Sequence, residues 1–188
     1  MSFEIVLAII VTSIATYSSR LLGSNPELVL HGGGNTSVKS FGKNIFGETI
    51  PLLYVKGSGW DLSTIEPQGH PGVSLLELKS LKKLKKLSDE DMVASQRKFL
   101  VNSNSPNPSV ETLLHAFLPH KFIDHTHSIA VLAIADQENS RDIIKNIYGD
   151  NVVIVPYIMP GFLIMIIGGI NGPLDNAVVA VLTPLKEN

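Results

Sequence analysis

The chain has 188 residues, 44% of them apolar and 17% charged, a formal net charge of −2 and no cysteine. That length supports one domain with a real core, and the balance of charge excludes a disordered chain or a broad nucleic-acid footprint. The missing cysteines exclude disulfide frameworks, thiolate metal sites and cysteine nucleophiles, leave His, Asp and Glu as candidate ligands, and fit a cytoplasmic setting.

In chain order, the apolar run Ile5–Ala15 within MSFEIVLAIIVTSIATYSSRLLG opens a predicted helix over residues 5–22, ended by Gly23. Glu4 stands where a signal peptide carries positive charge, and the run is shorter than the roughly 20 residues that span a bilayer, so a buried first helix and no membrane partner are expected. The turn cluster SNPE follows, then LVLHGGGNTSVKSFG, read as a short apolar strand, three glycines and a second strand. TIPLLYVKGSGWDL repeats the plan, with a strand at Leu52–Val55 opening into a second glycine turn.

Leu78, Leu81, Leu84 and Leu87 recur at helical spacing with lysines between them, which gives a helix with a solvated basic face. Ser88 and Asp91 form a capping-box pattern for the next helix, to about Val101. After the breaker NSNSPNPS, Ser109 is placed to cap VETLLHAFL, with Glu111 in its first turn and His115 one turn later on the same face. From Lys121 a strand runs to about His127, followed by a helix capped by Ser128 with IAVLAIA as its buried body, and by the strand NVVIVPY. The apolar C-terminal stretch GFLIMIIGGINGPLDNAVVAVLTPL is too broken by Gly, Asn and Pro to span a membrane and reads as short core strands and turns.

Two constellations carry chemistry. HGGGNTS and KGSG together offer unobstructed backbone N–H groups, polar side chains and one lysine, which suits an anion such as phosphate, although each alone is more often just a tight turn. Neither has the spacing of a P-loop or a dinucleotide fingerprint. The second is FIDHTHSIAV with Glu111: on an extended strand His125 and His127 project to one side, as ligands of a metal or as hydrogen-bonded strand-end histidines. Glu111 then serves as a ligand, a proton-moving base or a helix-dipole partner. His31, His70, His115 and His120 have no ligand spacing and are assigned to structure or surface.

Taken together, LVLHGGGNTSVK, LYVKGSGWDL, PSVETLLHAFLP, DHTHS and VPYIMPGF resemble the class II aldolase and adducin family, over roughly residues 20 to 162. The glycine segments are especially similar to the aldolase half of long bacterial proteins that join a rhamnulose phosphate aldolase-like domain to a short-chain dehydrogenase. The resemblance implies a three-layer α/β fold, a mostly antiparallel sheet flanked by helices, as one domain over 1–188 with an atypical segment at 163–188. It implies a zinc-dependent lyase that cleaves a ketose 1-phosphate to dihydroxyacetone phosphate and an aldehyde, with a site shared between subunits of a homotetramer. Gly34, Asn35, Ser58, Gly59 and Ser109 fall on the phosphate-holding positions, Glu111 on the catalytic acid/base, and His125 and His127 on two zinc ligands. The family's third ligand is a downstream histidine, and none follows His127 here. A sugar-phosphate epimerase or dehydratase, or a non-catalytic adducin-like assembly domain, are the alternatives.

Overall fold

The computed structural model describes residues 3–155, residue 162 and residues 178–181. Helix α1 (Phe3–Gly23) leads into β1 (Asn35–Lys43), which turns back as β2 (Thr49–Val55) and pairs in turn with the short β3 (Gly72–Ser74). Helices α2 (Leu75–Ser80), α3 (Asp89–Lys98) and α4 (Thr112–Phe117) follow, and β4 (Phe122–His125) returns to the free side of β1. The resulting sheet has the order β3-β2-β1-β4 and is antiparallel throughout. Helices α5 (Ile129–Ala135) and α6 (Ser140–Tyr148) lead to β5 (Val152–Val155), which pairs in parallel with β6 (Val178–Val181).

The layers follow from strand alternation. Along β2, Leu53 and Val55 point to one face, where they pack with Leu78 of α2 and Leu113 and Phe117 of α4; Leu52 and Tyr54 point to the other, where they meet Val38 of β1 and Val11 and Ala15 of α1. Helices therefore cover both faces, as the expected three-layer architecture requires. Leu53, Val55, Leu78 and Leu113 are fully buried, each contributing about 1.5–3 kcal/mol by leaving water.

Several local expectations change. The helix α1 is buried along one stripe only, and that stripe is largely polar: Thr12, Thr16 and Ser19 face inward while Ile9, Ile10, Ile14, Tyr17 and Leu21 face out. Its Val6–Gly23 stretch is long and apolar enough to cross a membrane by length and composition, yet here it docks on the sheet, with Ser19 Oγ 2.6 Å from Thr36 Oγ1 and Arg20 Nε donating to Ile65 O at 2.8 Å. Leu28–Leu30 is not a strand. Asn25 gathers the segment into turns, its carbonyl accepting from Leu28 and Val29 N–H and its side chain from Glu27 N–H.

The leucine-spaced helix stops early, at Ser80 and one 3-10 turn to Lys83, because Leu84 is extended. The Ser88 capping box forms, with Asp91 N–H on Ser88 Oγ at 3.1 Å, and its helix ends at Lys98, three residues short of Val101. The helix α5 is no buried body: Ile129 and Leu132 are exposed and Ala135 alone is buried, without a side-chain cap from Ser128. Strand β3 and helix α6 went unread. The 143/144/147 isoleucine spacing of α6, which buries Ile144, was the available signal. The expected NVVIVPY strand is described as β5 through Val155; residues 156–161 and most of the 163–188 segment lie outside the described residues.

Candidate functional site

Antiparallel pairing decides which residues meet. The first residues of β1 lie beside the last residues of both β2 and β4, with Ser37 opposite Val55 and Asn35 opposite His125. The turn before β1 and the turn after β2 thus share one end of the sheet, although the first does not follow a strand as expected. Backbone bonds join them to the approach of α4: Lys56 N–H donates to Thr36 O at 3.0 Å, Ser109 N–H to Lys56 O at 3.0 Å, and Ser58 N–H to Asn107 O at 2.7 Å.

Within the first turn, Gly34 has φ +65° and lies so close to β4 that a Cβ there would stand 2.7 Å from the His125 carbonyl oxygen, so only glycine fits. Lys56, only 5% exposed, reaches from one turn to the other and donates from Nζ to Gly32 O at 3.0 Å. Burial lowers its pKa, against the pull of Asp61 and Glu111. Ser58 and Gly59 sit exposed at the tip of the second turn, held near Ser109 by backbone bonds but making no side-chain contact with Glu111.

Glu111 stands at the N-cap of α4, not in its first turn, and its side chain does not cap the helix. Ser109 organises the approach: its hydroxyl accepts from Glu111 N–H at 3.3 Å and its carbonyl from Thr112 N–H at 3.0 Å. The Glu111 carboxylate is thereby free to turn toward β1 and β4. Asn35 Nδ2 donates to Glu111 Oε2 and to Ser109 Oγ, the latter at 3.1 Å. His125 Nδ1 lies 3.1 Å from the same Oε2, and Oε1 has no hydrogen-bond partner among the described residues. Burial alone would raise the Glu111 pKa, but His125 and the Asn35 amide hold it down to about 2. At neutral pH Glu111 is therefore an ionised acceptor with one open oxygen.

Behind this face lies His115, which the sequence consigned to structure or surface. It is fully buried, with Nε2 against Asn35 Oδ1 and Nδ1 2.7 Å from Ser37 Oγ. Burial, then the nearby His125, lower its pKa to about 3, so the ring is neutral. The i, i+4 spacing of Glu111 and His115 was the signal that could have found it. His70 is also buried, but its partners are Thr16, Ser19 and Thr36 on the α1 side of the sheet. His31 is exposed, and His120 contributes its carbonyl to Lys39.

His125 closes β4 and His127 lies beyond the strand, so strand alternation is not what brings them together. Their rings nevertheless approach to 4.8 Å between centroids at 54°, because His127 N–H is anchored to Leu28 O at 2.9 Å. Burial, followed by the neighbouring His125, lowers the His127 pKa, which favours the neutral ring a metal needs. His125 Nδ1 is buried and, although within ion-pair range of Glu111, is not aligned with any hydrogen-bond acceptor. An unsatisfied imidazole nitrogen beside a second imidazole fits two ligand positions of a metal site. Among the described residues, however, no three His, Asp or Glu side chains group closely enough to hold an ion.

Fold and site together define a class II aldolase-type domain. The chain belongs to the family of the class II aldolase and adducin N-terminal domain, whose model matches residues 14–165. It is similar to the solved N-terminal class II aldolase domain of a conserved protein from Thermoplasma acidophilum, with 44% identity and a TM-score of 0.81 over 88% of this chain and 78% of that one. YgbL from Klebsiella pneumoniae, 16% identical with a TM-score of 0.54 over 90% of this chain and 75% of that one, shares the fold. A protein of Bacillus subtilis (strain 168), named uncharacterized oxidoreductase YuxG, is 43% identical over 146 residues, which are 78% of this chain and 21% of YuxG. The chain thus spans about a fifth of that relative's length.

Proposed function

We propose that this domain is a zinc-dependent lyase that cleaves a ketose 1-phosphate of the rhamnulose phosphate type into dihydroxyacetone phosphate and an aldehyde. The observation that carries the reading is the ionised Glu111 carboxylate, anchored through Oε2 and open at Oε1, set among Asn35, Ser109 and His125 beside two glycine turns. Gly34, Asn35, Ser58, Gly59 and Ser109 hold the phosphate, Lys56 adds positive charge at the junction of the turns, and Glu111 Oε1 takes and returns the substrate proton. His125 and His127 supply two ligands to the zinc, and the third comes from a neighbouring subunit of a homotetramer. When bound, zinc supplies a Lewis acid for the substrate carbonyl. The protein works in the cytoplasm on a small sugar phosphate.

The lack of a three-ligand cluster among the described residues favours one competing reading, a non-catalytic assembly domain. The deciding experiment incubates zinc-loaded protein with a panel of ketose 1-phosphates and follows release of dihydroxyacetone phosphate through a coupled reduction. Zinc-dependent release supports the lyase. Failure on every substrate together with no zinc uptake removes the zinc-dependent lyase and favours the non-catalytic reading; turnover without cleavage of a carbon–carbon bond moves the chemistry to epimerisation or dehydration.

A further inference from the structure

A chain of hydrogen bonds runs from the Glu111 carboxylate into the core of the sheet, and its direction is fixed at both ends. The Asn35 amide nitrogen Nδ2 lies against Glu111 Oε2, an oxygen placed to accept. The Asn35 group facing it is therefore the amide NH2, which also serves Ser109 Oγ. The Asn35 carbonyl then faces His115 Nε2, so that nitrogen carries the ring proton. His115 Nδ1 is left as an acceptor, 2.7 Å from Ser37 Oγ. Ser37 is 2% exposed, and its hydroxyl has no other side-chain partner among the described residues, so it is the donor. Turning Asn35, which is 3% exposed, around would set its carbonyl oxygen against the Glu111 carboxylate, acceptor against acceptor, and leave a buried polar group without a donor.

We propose that His115 is a positioning residue. As the neutral Nε2–H tautomer it locks the Asn35 amide, and through that one amide it aims both the Glu111 carboxylate and the Ser109 hydroxyl. It touches no substrate. Its functional meaning rests on the reading of Glu111 as proton carrier and Ser109 as phosphate ligand. The consequence is that base and phosphate anchor cannot drift independently, since the same amide holds both.

The test uses the full chain with 15N-labelled histidine and asparagine. Long-range 15N–1H spectra, with His115 assigned through His115→Gln, are expected to report an Nε2–H neutral ring between about pH 5 and 8, the range in which an ordinary histidine titrates. The Asn35 side-chain protons are expected to exchange at least about tenfold faster in His115→Leu, where the amide has lost its lock. If His115→Leu does not fold, Ser37→Ala keeps the imidazole and its Asn35 partner, and because the Asn35 carbonyl still faces Nε2 the Nε2–H tautomer is expected to persist. In turnover, His115→Leu lowers kcat and raises KM together, and His115→Gln, which keeps a donor for Asn35, recovers both. An Nδ1–H ring or an imidazolium at neutral pH, in the wild type or in Ser37→Ala, overturns the proposal, as does Asn35 exchange unchanged in folded His115→Leu or kcat per folded molecule unaffected by His115→Leu. A wild-type protein with the Nε2–H ring but no aldol cleavage would instead remove the lyase reading and leave the positioning chain standing.

Discussion

The Asn35 amide and the Glu111 carboxylate meet across 76 residues of chain. Asn35 is the first residue of β1, paired with His125 on β4, and Glu111 is the N-cap of a helix on one face of the sheet. A strand and a helix packed on it therefore deliver one end each of the hydrogen bond that orients the base.

Glu111→Gln tests the role of that carboxylate without disturbing the fold. The amide oxygen of a glutamine still accepts from Asn35, and the Glu111 side chain is 31% exposed and caps nothing. The variant should keep the fold but lose, in a urea titration at neutral pH, part of the stability that the carboxylate gains from His125 and Asn35. Turnover should fall by about 10²–10⁴-fold, the usual contribution of a positioned acid/base group. A variant as fast as wild type would remove Glu111 from the mechanism.

His125→Ala and His120→Ala separate a metal ligand from a bystander. His125 carries a buried nitrogen with no hydrogen-bond partner next to the His127 ring, whereas His120 contributes its backbone carbonyl to Lys39. Elemental analysis of untagged protein should find zinc lost from the first variant and kept in the second. Equal zinc in both would place the metal elsewhere.

Gly34→Ala and Gly59→Ala share a positive φ, +65° and +85°, but not their surroundings. Either alanine adds about 1–2 kcal/mol of left-handed strain. Only at Gly34 does the new methyl group also run into the chain, 2.7 Å from the His125 carbonyl and 3.3 Å from Leu62 and Val29, whereas Gly59 meets open space. Urea denaturation should show Gly34→Ala as clearly the more damaging. It should also weaken zinc binding, since β4 has to move; Gly59→Ala should leave zinc content intact.

Much of the candidate site was legible because its chemistry sits in residues of distinctive type: Asn35 and His125 meet by antiparallel pairing, Glu111 joins them from the N-cap of α4, and His127 through its bond to Leu28 O. The Ser88 capping box was readable for a related reason, since its two partners lie within one turn. Leu28–Leu30 looked like a strand because apolarity outweighed the turn-forming Asn25 and Pro26 just before it. The helix α1 looked wholly buried because composition alone does not show that Thr12, Thr16 and Ser19 take the inward stripe, where hydrogen bonds satisfy them. His115 escaped because the one local sign, its i, i+4 spacing from Glu111, does not reveal its partners Asn35 and Ser37, which lie 80 and 78 residues away.

The same buried polar stripe gives a pH dependence of stability. His70 is 3% exposed, wedged between α1 and β1 with Thr36 Oγ1 3.3 Å and Ser19 Oγ 3.4 Å from its Nε2. Burial lowers its pKa to about 4; the charge of Lys56 acts in the same direction, and its contact with the Glu66 backbone opposes them. In the unfolded chain the ring takes a proton near pH 6.5, whereas the folded protein resists it until about pH 4. The unfolded state thus binds more protons across that window, so the stability His70 contributes is complete above pH 6.5 and declines as the pH falls toward 4. At about 1.4 kcal/mol per pKa unit, the loss is on the order of 3 kcal/mol. Urea midpoints measured from pH 7 down to 4 should fall accordingly, and His70→Gln, which cannot take up a proton, should flatten that fall by one proton's worth of slope. An identical slope in the variant would mean that acid sensitivity arises at another group.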